Sequence, residues 1–288
     1  MKNKGWILYP KSVLDNVTNA FEWLCFEAKK FNIDLDILFF EDFQVISGRN
    51  NLVLYENKEI GLPSFIVVRG YESLLSRHFE LLDIPVINSS VSMALSLNKM
   101  KTHQILSSNN INTPETIYNH LANYTYRSLS DYFKDDRFIV KGLEGSRGTD
   151  VFLIRNQQEL ESAIRVCKGY CIAQQFVNSS YGRDIRAWVV GDEVVASVLR
   201  YSEESFKSNF SQGGKVKLYD ITDKEKELAV QSVKSLGLEF AGIDLLFTEN
   251  GNLSVCEING NAGFRSIASI SDSNIPYKLF EYIYNTYL

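Results

Sequence analysis

The chain of 288 residues holds only four cysteines and three histidines. Cys25, Cys167, Cys171 and Cys256 are scattered through apolar contexts with no CxxC spacing, which points to four reduced, mostly buried thiols and not to a disulfide framework. His78, His103 and His120 stand near neither one another nor a cysteine in any zinc-ligand spacing. Any bound cation is therefore left to carboxylate and amide oxygens, the donors of Mg²⁺. No apolar run approaches the roughly 20 residues that span a bilayer, and Met1-Lys2-Asn3-Lys4 leads into a strand-like stretch, not a signal-peptide core. A cytoplasmic protein with no membrane partner is expected. Positive charge is not in excess: 30 Lys+Arg against 35 Asp+Glu gives −5, which argues against a sequence-independent nucleic-acid binder. Internal repeats and low-complexity tracts are lacking too. What the chain does have is apolar content, 45% of residues, enough for one large core or two to three small ones.

Residues 6–9 read as a buried strand, and Ser12 with Asp15 resembles a capping box opening a helix whose apolar face carries Leu14, Val17, Phe21, Leu24, Ala28 and Phe31. Strands at 35–40, 65–69 and 84–87 with a helix near 72–82 complete a βαβ-like alternation, so residues 1–95 are expected to form a small parallel α/β domain. A helix carrying Lys99 follows and breaks at Thr113-Pro114; strands at 137–143, 150–154 and 170–177 and a helix at 157–167 make a second unit, 96–177. From 178 to 288 the pattern is antiparallel α+β: two strands joined at Gly191-Asp192, a polar loop at 203–214, a helix at 223–236 opened by Thr222-x-x-Glu225, and a hairpin at 240–259.

Three segments suggest chemistry. A two-residue turn at Asn250-Gly251 places Asp244 directly across the ladder from Glu257, with Asn259 on the same face. Facing carboxylates repel unless one is protonated or a cation sits between them, and Mg²⁺ or Mn²⁺ is the favoured answer; a solvated pair with lysine neighbours is the plainer alternative. In the second segment, the strand Ile139-Val140-Lys141-Gly142-Leu143 runs into Glu144-Gly145-Ser146-Arg147-Gly148, a loop whose backbone N–H groups can bend over phosphates above the Lys141 charge. It lacks the Walker A order, and alone it is indistinguishable from a glycine-bearing β-turn. In the third, Asp184 and Arg186 share a strand face. A three-residue Gly191-Asp192-Glu193 loop sets Arg200 opposite Asp184 on that face, whereas a two-residue loop puts Arg200 on the reverse; the three-residue loop is expected. Lys207, Asn209 and Arg265 add further cationic and amide groups, which favours an anion-handling cleft over a merely solvated charged face.

In this order, the pieces resemble the ATP-grasp superfamily, and the run from Gly182 to Arg200, the Phe206–Gly214 segment, and Gly242-Ile243-Asp244 with Glu257-Ile258-Asn259 resemble its RimK-like amino-acid ligase branch over roughly residues 90–265. The resemblance implies the ATP-grasp fold, with the nucleotide between the central and C-terminal lobes. It also implies that Lys99 and Lys141 reach the phosphates and Glu144, Gly145, Ser146, Arg147 and Gly148 fold over them. Gln174, Gln175, Phe176 and Val177 would line the adenine, Asp184 would hold the ribose, and Lys207, Ser208 and Asn209 would reach the terminal phosphates. Asp244, Glu257 and Asn259 would ligate two Mg²⁺ or Mn²⁺ ions. Arg186 and Arg200 fall to the acyl substrate, with Arg265 near a second anionic group. Two departures stand out: Gln175 replaces the hinge glutamate common in the family, keeping an acceptor without the charge, and Gly260 to Arg265 replaces the usual continuation toward Pro-Gly.

Family chemistry implies that a carboxylate, expected to belong to an acidic amino acid or a peptide ending in one, attacks the γ-phosphate of ATP, and that an amine opens the acyl phosphate to an amide with release of ADP and phosphate. Asn209, Arg186 and Arg200 are the expected catalytic groups, and a homo-oligomer is the expected assembly. A ligase cross-linking side chains of a ribosomally made peptide would use the same residues; a nucleotide-binding regulatory protein without turnover is the alternative of another class.

Overall fold

The computed structural model describes residues 3–48, 51–145, 150–208, 214–264, 267, 270–271 and 273–288. Its first sheet contains β1 (Asn3–Tyr9), β2 (Ile33–Phe39), β6 (Phe65–Val68) and β7 (Val86–Ile87), all parallel in the order β2-β1-β6-β7. Between β2 and β6 the chain makes a three-stranded antiparallel ribbon that periodicity did not reveal, β3 (Phe43–Ile46), β4 (Leu52–Tyr55) and β5 (Lys58–Glu59). The expected Ser12 capping box is absent. Helix α1 (Leu14–Lys29) has Val13 at its N-cap with no side-chain cap, because the chain enters through a 3₁₀ turn, Lys11–Val13, whose first N–H is taken by both carboxylate oxygens of Glu41 at 3.0 Å. Helices α2 (Ser73–Glu80), α3 (Ser90–Leu97) and α4 (Lys99–Ser108) complete this part of the chain.

The second sheet is antiparallel, in the order β10-β9-β11-β8, from β8 (Thr116–Tyr118), β9 (Phe138–Gly142), β10 (Val151–Ile154) and β11 (Cys171–Gln175). One face packs Phe138, Val140, Cys171 and Ala173 against Leu129 and Phe133 of α5 (Tyr126–Phe133) and Leu160 and Ala163 of α6 (Gln157–Val166). Strand β8 and helix α5 are additions to the sequence reading.

The third sheet has five antiparallel strands in the order β14-β13-β12-β15-β16: β12 (Arg183–Val190), β13 (Glu193–Tyr201), β14 (Lys215–Leu218), β15 (Phe240–Phe247) and β16 (Leu253–Asn259). Helix α7 (Asp223–Ser235) opens with the expected Thr222/Glu225 capping box and buries Ala229 and Val233 against Ile185, Ala187, Val189, Ile243 and Leu245. On the opposite face, Trp188, Val190 and Phe240 pack with Ile7, Phe65 and Ile87 of the parallel sheet and with Leu279 and Phe280 of α8 (Ile275–Tyr287). That face is apolar at this end and charged at the other.

Both hairpins of the third sheet depart by one residue from the expected turn, and in both a bulge restores the expected pairing. Val190 pairs with Glu193, so Gly191-Asp192 is a two-residue turn; Val195 is then extra, and Asp184 still meets Arg200. In the second hairpin Thr248 bonds Asn252, so the loop has three residues with Gly251 at φ +77°; Cys256 is the extra residue that sets Asp244 opposite Glu257.

Candidate active site

The inner face of the second sheet follows from its register. Lys141 pairs with Val151 and Ile172, and Ile139 with Leu153 and Gln174, so these six side chains share one face. Ile139, Leu153 and Phe176, with Val151 and Phe206 against them, form an apolar shelf that the sequence reading did not single out, although period-two alternation along β9 and β10 carries it. At the shelf's edge Lys141 is only 7% exposed and its Nζ donates to Cys256 Sγ at 3.2 Å, reaching the third sheet. Burial opposes its charge, but Cys256, Glu257 and Asp244 more than offset this and hold the ammonium's pKa above its ordinary value. Lys99, the first residue of α4, donates to the Gly145 carbonyl at 3.1 Å; burial draws its pKa down against the pull of Glu257. Glu144 and Gly145 are exposed at the end of the described segment, and Ser146, Arg147 and Gly148 lie outside the described residues.

At the end of β11, Phe176 joins the shelf and takes Arg137 over its other surface at 5.2 Å, while Gln175 is exposed with its N–H on the Glu115 carbonyl. The Gln174 amide nitrogen is committed inside the protein: it donates to His103 Nε2 at 2.9 Å and Thr116 Oγ1 at 2.8 Å. Because the Thr113 hydroxyl donates to the Val255 carbonyl, His103 Nδ1–H donates to Thr113, and one buried chain of hydrogen bonds runs from β11 to β16. Burial, and then Lys141 and Lys99, push the His103 pKa down to about 3, so the ring is neutral.

On the third sheet, register alone gathers the charged groups. Asp184 faces Arg200, Arg186 faces Asp244, Asp244 faces Glu257, and Asn259 stands two residues beyond Glu257, all on one face. Arg200 holds Asp184 with a fork of two hydrogen bonds, Nε to Oδ1 at 2.7 Å and Nη2 to Oδ2, and its Nη2 lies 2.9 Å from Asp244 Oδ1. Arg186 Nε approaches the same Asp244 oxygen at 2.8 Å. Asp184, Arg200 and Asp244 are each no more than 7% exposed. Burial opposes the Arg200 charge, yet Asp244 and Asp184 raise its pKa well above the usual guanidinium value. Sequence reasoning expected the facing carboxylates to need a cation, and the protein's own guanidinium groups supply one at Asp244. The expected phosphate-side residues Lys207 and Ser208 follow Phe206, with Lys207 Nζ 5.7 Å from the Phe206 ring, its pKa lowered by burial; Asn209 and Arg265 lie outside the described residues.

Asp244, Glu257 and Asn259 fit a hard divalent cation. Their donors are all oxygen, and Asp244 Oδ1 is buried without an aligned hydrogen bond despite its two guanidinium neighbours. Among the described residues, no group of three His, Cys, Asp or Glu is assembled as a metal site, so the set is two carboxylates completed by an amide. Two further residues that the sequence did not assign to the site reach it from the segment after β6: the Tyr71 hydroxyl bonds Asn259 Oδ1 at 3.2 Å, and Arg69 donates to the Ala262 carbonyl at 2.8 Å. Their position just beyond the carboxyl end of a parallel strand is the signal that could have found them.

An apolar shelf edged by two lysines stands against an antiparallel sheet carrying carboxylates and arginines, an arrangement suited to a flat ring beside phosphates, and the sheets that bear it have the ATP-grasp fold. Solved structures agree on the fold. A VanG D-Ala:D-Ser ligase from Enterococcus faecalis superposes with a TM-score of 0.75 over all of both chains at 18% identity, and the ATP-grasp ligase PsnB, in complex with a minimal precursor, with 0.72 over 98% of both at 17%. A probable alpha-L-glutamate ligase from Maridesulfovibrio salexigens is 32% identical over 83% of this chain and 82% of its own length, and one from Citrobacter koseri is 33% identical over 74% and 72%. Residues 96–283 match the RimK-like ATP-grasp domain, and the chain belongs to that family. It is an ATP-dependent ligase that forms carbon–nitrogen bonds, and membership implies ATP and a divalent cation. No helix among the described residues is long and apolar enough to cross a membrane.

Proposed function

We propose that the protein activates a carboxylate of an acidic amino acid, glutamate first among them, or of a peptide ending in one, as an acyl phosphate and transfers the acyl group to an amine. The observation that carries this reading is the single sheet face on which Asp184, Arg186, Arg200, Asp244, Glu257 and Asn259 converge. The glutamate ligases to which the chain is similar support the choice of acid.

In this reading the purine lies on the Ile139–Leu153–Phe176 shelf beside Gln175 and Val177, and Lys99 and Lys141 meet the phosphates under the 144–148 loop. Lys207, Ser208 and Asn209 are assigned to the terminal phosphates, Asn209 from its place in the sequence alone. Asp244, Glu257 and Asn259 would hold two ions, Mg²⁺ or Mn²⁺, which would supply charge neutralisation for the transferring phosphoryl group. A carboxylate oxygen of the acid attacks the γ-phosphorus and ADP leaves; the amine nitrogen then adds to the acyl carbon and phosphate leaves. Arg186 and Arg200 offset the negative charge that builds on the acyl phosphate and on its tetrahedral adduct, and the site's work is positioning and charge compensation with no covalent enzyme intermediate. Asp184, held on both oxygens by Arg200, fixes that guanidinium's plane in addition to its expected place near the ribose. Residues 1–95, 96–177 and 178–288 act as three units in a cytoplasmic homo-oligomer.

The test is ADP release over a matrix of amino acids, short acidic peptides and candidate amines, with mass spectrometry of the products. ADP formation that depends on both an acidic amino acid and an amine, with a product heavier by one amide linkage, is expected. ADP formation indifferent to every acid would overturn the reading.

A further inference from the structure

The parallel sheet has its own switch point. In the order β2-β1-β6-β7 the chain moves outward in opposite directions from β1 and β6, and in open sheets of this kind ligands sit beyond the carboxyl ends of the strands where the order reverses. Arg69-Gly70-Tyr71 is the segment that leaves β6 there, with the Arg69 N–H still tied to Leu8 of β1. It sits at the seam of the third sheet, where the apolar half of the face gives way to the charged half.

Arg69 is 8% exposed, with its guanidinium 5.4 Å from the Phe240 ring and 5.3 Å from the Phe264 ring. Among the described residues only Nη2 finds a partner, the Ala262 carbonyl, while the buried Nε and Nη1 find none. Arg186 presents a matching feature. Its Nε is on Asp244, while Nη1, buried over Gly242, has no partner among the described residues, and a Cβ added to Gly242 would stand 2.6 Å from Nη1 and 2.8 Å from the Ala262 Cβ. Two guanidinium groups thus stand near Ala262, one from the segment after β6 and one from β12, and together they hold three N–H-bearing nitrogens without a partner among the described residues. Leaving buried donors unpaired is costly, an arrangement that persists where a ligand acceptor completes it. Tyr71, 39% exposed, stands at the mouth with its hydroxyl on Asn259.

We infer that Arg69, Arg186 and Tyr71 form a pocket for a non-reacting carboxylate of the substrate, so that the parallel sheet reads the acid while the third sheet performs the transfer. A carboxylate is the ligand class because a planar two-oxygen anion answers two planar forks, and the aromatic rings on Arg69 hold its plane while excluding water. The inference rests on the proposed acidic substrate, and Arg69 serves as a specificity residue.

The test separates binding from turnover. The full chain is titrated calorimetrically with L-glutamate, glutarate and acetate in the presence of a non-hydrolysable ATP analogue and Mg²⁺, in wild type, Arg69→Gln, Arg69→Lys and Tyr71→Phe. Wild type is expected to bind glutamate or glutarate at least tenfold more tightly than acetate. Arg69→Gln should lose at least tenfold in that affinity, Arg69→Lys should recover part of it, and Tyr71→Phe, which keeps the ring's packing, should lose threefold to tenfold; affinity for the ATP analogue stays within twofold in all three. No dicarboxylate binding to wild type, or unchanged affinity in both Arg69→Gln and Tyr71→Phe, would overturn the pocket, as would an equal loss of ATP-analogue affinity, which marks a structural role. ADP release with the same acids is read in parallel. With an amine present, binding without turnover speaks against the proposed acidic substrate and leaves the pocket standing; turnover with an Arg69→Gln KM equal to wild type does the reverse.

Discussion

The second and third sheets, joined where Lys141 meets Cys256, are built on opposite principles. Apart from the buried Gln174, the inner face of the second sheet is aliphatic and aromatic with Lys141 at its edge, whereas one face of the third carries six polar or charged groups within four strands. An apolar shelf binds a flat ring equally well before and during reaction, so it sets affinity. A lattice of buried charges can respond to charge that develops only in the transition state, so it sets rate. The two surfaces also differ in what damage costs. A truncated shelf side chain leaves a small cavity, while removing one member of the ionic lattice strands another buried charge.

The largest effect should come from the carboxylates. Glu257→Gln and Asp244→Asn are each expected to lower kcat by about 10³-fold, the several kcal/mol of a lost cation ligand, when steady-state ADP release is measured at saturating Mg²⁺. Their stabilities should diverge. A like-charge argument from sequence has both variants gain stability, but Asp244 is the partner of Arg186 and Arg200, so Asp244→Asn should lose about 3 kcal/mol in urea unfolding while Glu257→Gln stays within about 1 kcal/mol. Equal stabilities would mean that the ion pairs at Asp244 contribute little.

Arg200→Lys keeps the charge and loses the fork that holds both Asp184 oxygens. A fall in kcat of about 10- to 100-fold with ATP affinity within threefold of wild type is expected from kinetics beside direct ATP titration. A normal kcat would remove Arg200 from the transfer step. On the opposite sheet, Leu153→Ala should raise the KM for ATP about fivefold to tenfold with kcat nearly unchanged, the signature of a contact made equally in ground and transition states. If kcat falls as much as KM rises, the contrast between the two surfaces dissolves.

A pH-dependent effect lies in the buried chain that joins the sheets. His103 is held neutral to about pH 3 in the fold and titrates near its ordinary 6.5 when unfolded, so between these values the unfolded state binds one more proton. Its contribution is fully present above pH 6.5 and declines as pH falls, with a slope of about 1.4 kcal/mol per pH unit. Denaturation midpoints of wild type and His103→Gln, compared from pH 7 to pH 5, should converge as the pH drops; parallel curves would place the His103 proton uptake elsewhere.

How far the sequence carries this arrangement depends on the element. Helix α7 was legible because its capping box is local, and the alternation of β12, β15 and β16 was legible because period two survives any turn. The turns themselves were not. Asn250-Gly251 serves a two-residue turn and the last positions of a three-residue loop equally well, since Gly251 takes a positive φ in either, and only the Cys256 bulge returns Asp244 to Glu257. Gly191-Asp192 misled in the opposite direction, with Val195 as the correction. Bulges depend on packing against neighbouring strands, which no local pattern reports. Strand β8 spans three residues, too few to show a period, and Arg69 and Tyr71 lie nearly 200 residues from the groups they meet.

The central claim is that the ionic face drives phosphoryl transfer to a carboxylate, and oxygen tracing tests it most directly. The acid that supports ADP release is supplied with ¹⁸O in its carboxylates, together with ATP, Mg²⁺ and the amine, and the phosphate formed is examined by mass spectrometry. An acyl phosphate requires one ¹⁸O in each inorganic phosphate released alongside ADP. Unlabelled phosphate, or label appearing in AMP, would contradict the account.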